Sequence, residues 1–130
     1  MQIEIFTICD FAQNYGDKLV LSGVVNRVLT GVVPSIGPAL SVVVRTSYEP
    51  GEDGDKSFEL SFLDPEGKEW LPKASLNSKV VVNPDHGIAN TNLVITISQP
   101  VYRLFGCYSV ILKTEAQTRT LKLFVQQKKE

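Results

Sequence analysis

The chain contains few of the residues on which catalytic and metal sites depend. Its 130 residues include one histidine, His86, and two cysteines, Cys9 and Cys107. A zinc site normally takes three or four His, Cys or carboxylate ligands, and a Ser/His/Asp or Cys/His mechanism would have to use His86. That histidine lies in Pro84-Asp85-His86-Gly87, a composition typical of a surface turn. We therefore predict no catalytic residue, no metal, no cofactor and no enzymatic activity.

An excess of one charge and a long apolar run are also missing. Thirteen basic and fourteen acidic residues give a net charge of −1, whereas nucleic acids and anionic membranes attract proteins with a surplus of Lys and Arg. No segment approaches the roughly 18 apolar residues that cross a bilayer. The sequence Met1-Gln2-Ile3-Glu4 lacks the positive start of a signal peptide. We expect a cytoplasmic protein that binds neither nucleic acid nor membranes.

The two cysteines are predicted to be free thiols. Disulfides are rare in the reducing cytoplasm. In the expected alternation of side chains, Cys9 has the phase of Ile3 and Ile5, whereas Cys107 is out of phase with Tyr108. If Ile3, Ile5 and Tyr108 point inward, the two thiols point in different directions.

Hydrophobic alternation with a period of two is the strongest pattern present. Because successive side chains of a strand point to opposite faces, such alternation indicates strands with one buried face. A single domain of this length buries a core without disulfides or metal. We predict an all-β fold, an antiparallel immunoglobulin-like β-sandwich of eight or nine strands over residues 1–130. The alternating residues are Phe58, Leu60 and Phe62; Leu93, Ile95 and Ile97; Tyr108, Val110 and Leu112; and Leu121, Leu123 and Val125.

Turn residues divide the chain into strands. Gly23 predicts a bulge or a close backbone approach within its strand. Pro65 and Gly67 suit the second and fourth positions of a type I turn. We expect a crossover loop at residues 30–38 and an exposed, mobile loop at residues 49–55. The predicted strands cover residues 2–10, 18–26, 40–48, 58–63, 68–71, 79–83 and 91–98, followed by a closing hairpin over 106–126.

The segment Gly106-Cys107-Tyr108 opens the closing hairpin. A tyrosine at this position is typical of the tyrosine corner of immunoglobulin-like sandwiches, in which the hydroxyl bonds to backbone a few residues upstream. We predict that Tyr108 is buried and that its hydroxyl bonds to backbone between residues 99 and 104.

Several short segments together resemble a known family. They are Ile3-Glu4-Ile5-Phe6, Cys9-Asp10-Phe11-Ala12, Gly16-x-Lys18-Leu19, and Gly106-x-Tyr108 with Leu123-Phe124-Val125. With these the chain is similar to a family of short bacterial proteins catalogued only as a domain of unknown function. The resemblance spans nearly the whole chain and implies a single small β-sandwich with no established activity. It transfers no functional residue.

An apolar patch is the leading candidate for function. If Ile3 and Ile5 face the core, Phe6 and Ile8 face outward, and Ile111 and Phe124 do the same on the closing hairpin. Large contiguous apolar patches usually mark an interface, although the loop at residues 28–38 is an alternative cover. We predict a protein-interaction or structural module that self-associates through these four side chains or binds another protein.

Two further functions remain open. One is a sandwich that binds sugar or calcium, and the other is a hydrolase that uses His86. Calcium takes six to eight oxygen ligands, which acidic loops can supply. The candidate residues of the ligand-binding alternative are Glu49, Glu52, Asp53 and Asp55 for calcium, and Trp70 with Tyr48 and Tyr102 for sugar stacking.

Overall fold

The computed structural model describes residues 1–129, and these form eleven β-strands and no helix. Eight strands have seven residues or more, which agrees with the predicted number, and three short strands add to them. The strands are β1 Gln2–Tyr15, β2 Lys18–Val24, β3 Arg27–Thr30, β4 Ser35–Ile36, β5 Leu40–Tyr48, β6 Gly54–Leu63, β7 Glu69–Val80, β8 Ala89–Ile97, β9 Val101–Tyr102, β10 Gly106–Thr114 and β11 Thr118–Gln127.

The long strands form two sheets that pack face to face. The first sheet has the order β2-β1-β5-β8 and the second has the order β3-β11-β10-β6-β7. All neighbours are antiparallel except β3 and β11, which are parallel. Strands β5 and β8 take the positions of B and E in an immunoglobulin sandwich, β6, β10 and β11 those of C, F and G, and β7 that of C′. The predicted all-β, immunoglobulin-like sandwich is therefore confirmed.

The core lies between the sheets and includes most of the alternating residues that the sequence indicated, while Leu93, Ile95, Ile97 and Leu121 are half-buried against it. Phe58, Leu60 and Phe62 of β6 are each at most 3% exposed. They pack in one cluster with residues of β10 and β11 from the same sheet and with Val42 and Val44 of the first sheet. At roughly 25 cal/mol per Å² of buried apolar surface, this cluster is the main stabilising feature of the fold.

Strand β7 is the largest difference from the predicted strands. It is one strand of 12 residues, Glu69–Val80, where two short ones were expected at 68–71 and 79–83. Pro72 interrupts the sequence pattern, but a proline is tolerated on an edge strand, and β7 is the edge of its sheet. The pairing with β6 shifts register next to this proline, since Phe62 lies opposite Leu71 but Leu60 lies opposite Ala74.

A β-bulge in β1 corrects the predicted orientation of Phe6 and Ile8. The pairing of β1 with β5 shifts by one residue between Ile3 and Ile5, at Glu4. An extra residue in one strand reverses the alternation beyond it. Ile8 is consequently a buried core residue, and Phe6 is half-buried against the core. The prediction that these two side chains face outward is wrong.

The other two residues of the predicted patch lie on the second sheet. Phe124 is exposed and Ile111 is half-buried, both on strands whose alternate residues fill the core. Because Phe6 and Ile8 face the interior, the four side chains do not form one surface. A role for Ile111 and Phe124 in association stays a prediction.

The tyrosine corner is confirmed. Tyr108 is fully buried, and its hydroxyl donates a hydrogen bond to the carbonyl of Leu104 at 2.9 Å while accepting one from the Leu104 N–H at 3.2 Å. The two bonds hold the segment between β9 and β10 against the start of the closing hairpin.

Replacing Tyr108 with phenylalanine should lower the free energy of unfolding by about 1–2 kcal/mol, because the backbone groups of Leu104 lose their partner. Urea unfolding measures the change. The exposed Tyr15 supplies the control, since Tyr15→Phe should leave stability within about 0.5 kcal/mol of wild type. Equal effects of the two substitutions would contradict a stabilising role for the corner.

Cys9 and Cys107 are free thiols on different sheets. Cys9 is fully buried, and burial raises the pKa of its thiol above the ordinary value. Its Sγ lies 3.3 Å from the carbonyl oxygen of Phe11, to which it donates a weak hydrogen bond. Cys107 is half-buried. Within residues 1–129 there is no helix long and apolar enough to span a membrane.

Candidate interaction surface

The aromatic residues proposed for sugar stacking belong to the core. Trp70 stacks on Tyr102 with ring centroids 5.6 Å apart, and its Nε1–H donates a 2.8 Å hydrogen bond to the carbonyl of Val101. Tyr48 and Tyr102 are each 1% exposed. The three rings therefore do not form an exposed platform, and the prediction of a sugar site at these residues is wrong.

Two carboxylates of the acidic loop hold the backbone around them. Glu52 accepts hydrogen bonds from the Met1 ammonium and from the Glu49 N–H, and the bond from the ammonium, with that from Glu49, lowers the pKa of Glu52. Asp53 accepts a 3.1 Å bond from the Val82 N–H. No three His, Cys, Asp or Glu side chains cluster as metal ligands within residues 1–129. The calcium alternative consequently gains no support from the geometry of this loop.

His86 lies where the sequence placed it, on an exposed turn. Its backbone N–H donates a 3.1 Å hydrogen bond to the Asn83 carbonyl, and the Asn83 side chain accepts a 2.9 Å bond from the Asp85 N–H. These contacts are those of a turn and bring no nucleophile to the imidazole.

An apolar surface that the sequence analysis missed lies on the β1–β2 hairpin (residues 10–24). Strand β1 extends beyond its pairing with β5, and there it pairs only with β2, with Phe11 opposite Ser22, Gln13 opposite Val20 and Tyr15 opposite Lys18. Opposite and alternate residues share one face of a two-stranded ribbon. The large apolar residues on this face, which we call the hairpin face, are Phe11, Tyr15 and Val20, exposed by 53%, 70% and 50%.

The opposite side of the hairpin is turned toward the body of the protein. Ala12, Leu19 and Leu21 occupy this side and are half-buried. Gly23 of β2 has a φ of 69°, in the left-handed region that favours glycine, and a Cβ at this position would lie 2.4 Å from Asp10 Oδ2. The neighbour of Gly23 is therefore the Asp10 side chain and not backbone, as the predicted close backbone approach would require.

Arg45 of β5 anchors the tip of the hairpin. Its guanidinium donates hydrogen bonds to the Asp17 carbonyl at 3.0 Å, to Glu4 Oε1 at 2.9 Å and to Asn92 Oδ1 at 2.8 Å. Asn92 of β8 donates a second bond to the same Asp17 carbonyl at 3.2 Å. Bonds that involve a charged group are the stronger hydrogen bonds in proteins. The hairpin is therefore fastened across β5 to β8 rather than projecting freely.

The anchored hairpin explains an unusual burial on the outer side of the first sheet. Alternation with Val42 and Val44 directs Val43 away from the core, yet Val43 is 0% exposed, and Ser41 on the same side is 3% exposed. Val43 lies two residues from Arg45, which binds the hairpin tip. We conclude that the hairpin covers this part of the sheet with one side and presents the hairpin face with the other.

The hairpin also provides the free edge of the first sheet. Strand β2 pairs with β1 on one side, and no other strand of residues 1–129 pairs with its second side. An unpaired edge presents backbone N–H and C=O groups that can bind another strand. The hairpin face and the open edge of β2 therefore adjoin.

The fold and this surface define an immunoglobulin-like β-sandwich with an added hairpin. The hairpin is formed by the end of β1 and by β2, and the chain crosses to the second sheet after it. Residues 4–126 match the model of a family of unknown function, DUF6941, and the chain belongs to that family. This confirms the family resemblance read from the sequence, while a bacterial origin stays a prediction. No curated protein matches the chain significantly.

Proposed function

We propose that this protein is a non-catalytic protein-interaction module and that the hairpin face is its binding surface. The observation that carries the proposal is the alignment of Phe11, Tyr15 and Val20 on one exposed face of an anchored hairpin. Exposed apolar residues scattered singly are ordinary, whereas a contiguous group marks an interaction site.

The physical properties of the hairpin favour binding. Each Å² of apolar surface that a partner removes from water contributes roughly 25 cal/mol. Aromatic residues such as Phe11 and Tyr15 are enriched at protein interfaces. Because Arg45 already fixes the hairpin tip, a partner meets an ordered surface and the entropy cost of ordering it is small.

The proposal includes a reducing cytoplasmic location, which the two free thiols support. The ligand-binding alternative lacks comparable support. Its aromatic residues are in the core, and Glu52 and Asp53 bind the protein's own backbone. The hydrolase alternative depends on His86, which lies on an exposed turn.

Capture of partners on the immobilised protein tests the proposal. The wild type, Phe11→Ser and Phe124→Ser are compared in extracts of the source organism under reducing conditions, after circular dichroism has shown that all three fold. Phe124 is a matched control, since it is also an exposed phenylalanine, at 39%.

We expect a specific protein to be retained by the wild type and by Phe124→Ser and to be lost with Phe11→Ser. Retention by Phe11→Ser with loss in Phe124→Ser would place the binding surface on the second sheet. Equal retention by all three proteins would contradict a binding role for the hairpin face.

A further inference from the structure

The first sheet has a second open edge, at β8, and this edge lacks the features that block strand pairing. The nine residues of β8, Ala89–Ile97, pair with β5 in one register without a shift. They include no charged residue, no proline and no glycine, whereas edge strands usually avoid pairing by means of lysine, proline or a bulge. Within residues 1–129 the backbone of β8 makes no backbone hydrogen bond other than those to β5. Alternate N–H and C=O groups of β8 are therefore free to bind another strand.

The other sheet edges carry such blocking features. Strand β2 has Lys18 and the positive φ of Gly23. Strand β7 contains Pro72 and Lys73 and shifts its register beside them, and β3 is only four residues long. This contrast distinguishes β8 as the edge at which pairing is not opposed.

The open side of β8 corresponds to a strand position of the immunoglobulin sandwich. Strand β8 takes position E and β7 takes position C′, and strand D normally lies next to E at the edge of its sheet. In this chain residues 81–88 join β7 directly to β8 through a turn that contains Pro84 and Gly87, and they form no strand. Position D is therefore not filled by the chain itself.

We propose that an extended segment of another protein binds in position D, antiparallel to β8, as an added strand of the first sheet. In recognition of this kind, main-chain hydrogen bonds provide affinity and alternate side chains provide specificity. The site does not depend on the hairpin face, which β1 and β2 form at the opposite edge of the sheet.

The side chains beside this position favour apolar residues at alternate positions of the segment. Leu93 and Ile95 of β8 lie opposite the core residues Val44 and Val42, and they therefore face the core, yet both are only half-buried. Leu76 of β7 also packs against the core and is half-buried. An added strand directs every second side chain to the core side of the sheet. Apolar side chains at those positions would extend the core over these residues.

A groove between the two sheets indicates the charge of the segment. The groove, about 460 Å³ in volume, lies between the end of β7 and the first half of β8. Its polar lining includes Asn77, Asn90 and Asn92 and a single charged residue, Lys79, which makes no ion pair within residues 1–129. A carboxylate is the complementary group. A free segment can lie in such a groove, whereas β8 of a second copy would bring its own β7 with it.

Peptide selection tests the proposal. A phage library of random peptides, each long enough to span β8, is selected on the immobilised wild type. The enriched peptide is then synthesised unmodified and with N-methyl groups at one or the other set of alternate residues. Because only every second N–H of an added strand points at β8, one N-methylated form should bind at least about 10-fold more weakly than the unmodified peptide. The other form should bind nearly as well in isothermal titration calorimetry.

Hydrogen exchange and protein variants locate the site. On binding of the peptide, we expect slower amide exchange at alternate residues of β8 and no change in β2. Lys79→Gln should weaken binding roughly 2- to 5-fold. Lys122→Gln is the matched control, because Lys122 is an exposed lysine on β11 of the second sheet. This control and Phe11→Ser should both bind as the wild type does.

We expect the enriched peptides to alternate apolar and polar residues, with Asp or Glu among the polar ones. Equal binding of the two N-methylated forms would overturn strand pairing. Failure to enrich any peptide, or protection outside β8, would overturn the site. Loss of binding with Phe11→Ser would assign the peptide to the hairpin face instead. Protection of β8 that rises with the concentration of the protein alone would place a second copy there and overturn the choice of occupant.

Discussion

Replacing Phe62 with alanine should lower the free energy of unfolding by about 3–5 kcal/mol. Phe62 is 3% exposed and contacts Trp70 edge-to-face at a centroid distance of 6.4 Å. Trp70 in turn contacts Tyr102 and Tyr108. Truncation therefore removes a large buried side chain and leaves a cavity beside the Trp70 ring, which links Phe62 to the two tyrosines. Domains of this kind are stable by about 5–15 kcal/mol in total.

Two controls separate loss of packing from loss of an aromatic residue in general. Phe62→Leu keeps most of the volume and should cost less than half as much as Phe62→Ala in urea unfolding. Phe124→Ala makes the same chemical change at an exposed site and should cost less than about 1 kcal/mol. If Phe62→Ala and Phe124→Ala had similar effects, the aromatic cluster would not be the centre of the core.

Most of the fold could be predicted because its strands have one buried and one exposed face. Alternation at Phe58, Leu60 and Phe62 identified both the strand and its buried side, and these residues are in the core. The position of Tyr108 before the closing hairpin identified its backbone partner, because that geometry is local. Leu104 is four residues away in the chain.

The phase of β1 could not be predicted, because nothing in the sequence around Glu4 distinguishes a bulge from regular strand. The shift arises from the pairing of Ile3 and Ile5 with β5, about forty residues away along the chain. One inserted residue moved Phe6 and Ile8 from the predicted surface to the interior. Alternation gives the two faces of a strand but does not locate the residue at which they exchange.

The hairpin face was missed for a related reason. Residues 13–17 are mostly polar and were expected to end the first strand at residue 10, but β1 continues to Tyr15. Phe11 and Tyr15 alternate on one side of the turn at Gly16-Asp17, and Val20 falls on the same face in the hairpin register. This is the signal that could have identified a ribbon with one apolar face. The hydrogen bond from Arg45 to the Asp17 carbonyl joins two segments that are distant in the chain. Because its acceptor is a backbone atom, the amino-acid composition gives no indication of it.

Two buried tyrosines in the same aromatic cluster should respond in opposite ways to loss of their hydroxyl groups. The hydroxyl of Tyr108 has both its bonds to Leu104. The hydroxyl of Tyr102 is buried without a hydrogen-bond partner among residues 1–129. A buried polar group without a partner destabilises the folded state. At neutral pH, Tyr102→Phe should therefore be at least as stable as the wild type, whereas Tyr108→Phe should be less stable.

At alkaline pH the free energy of unfolding of the wild type should fall relative to that of Tyr102→Phe. Burial, and secondarily the neighbouring Tyr108, raises the pKa of Tyr102 from 10.0 to about 12. Because the folded protein holds this proton more tightly than the unfolded chain, ionisation of Tyr102 leaves the free energy of unfolding unchanged below pH 10 and lowers it as the pH rises from 10 toward 12. The shift corresponds to about 2–3 kcal/mol. Urea unfolding between pH 8 and 12 should show a steeper loss of stability for the wild type than for Tyr102→Phe, and Tyr15→Phe should follow the wild type. Parallel curves for the wild type and Tyr102→Phe would contradict the raised pKa.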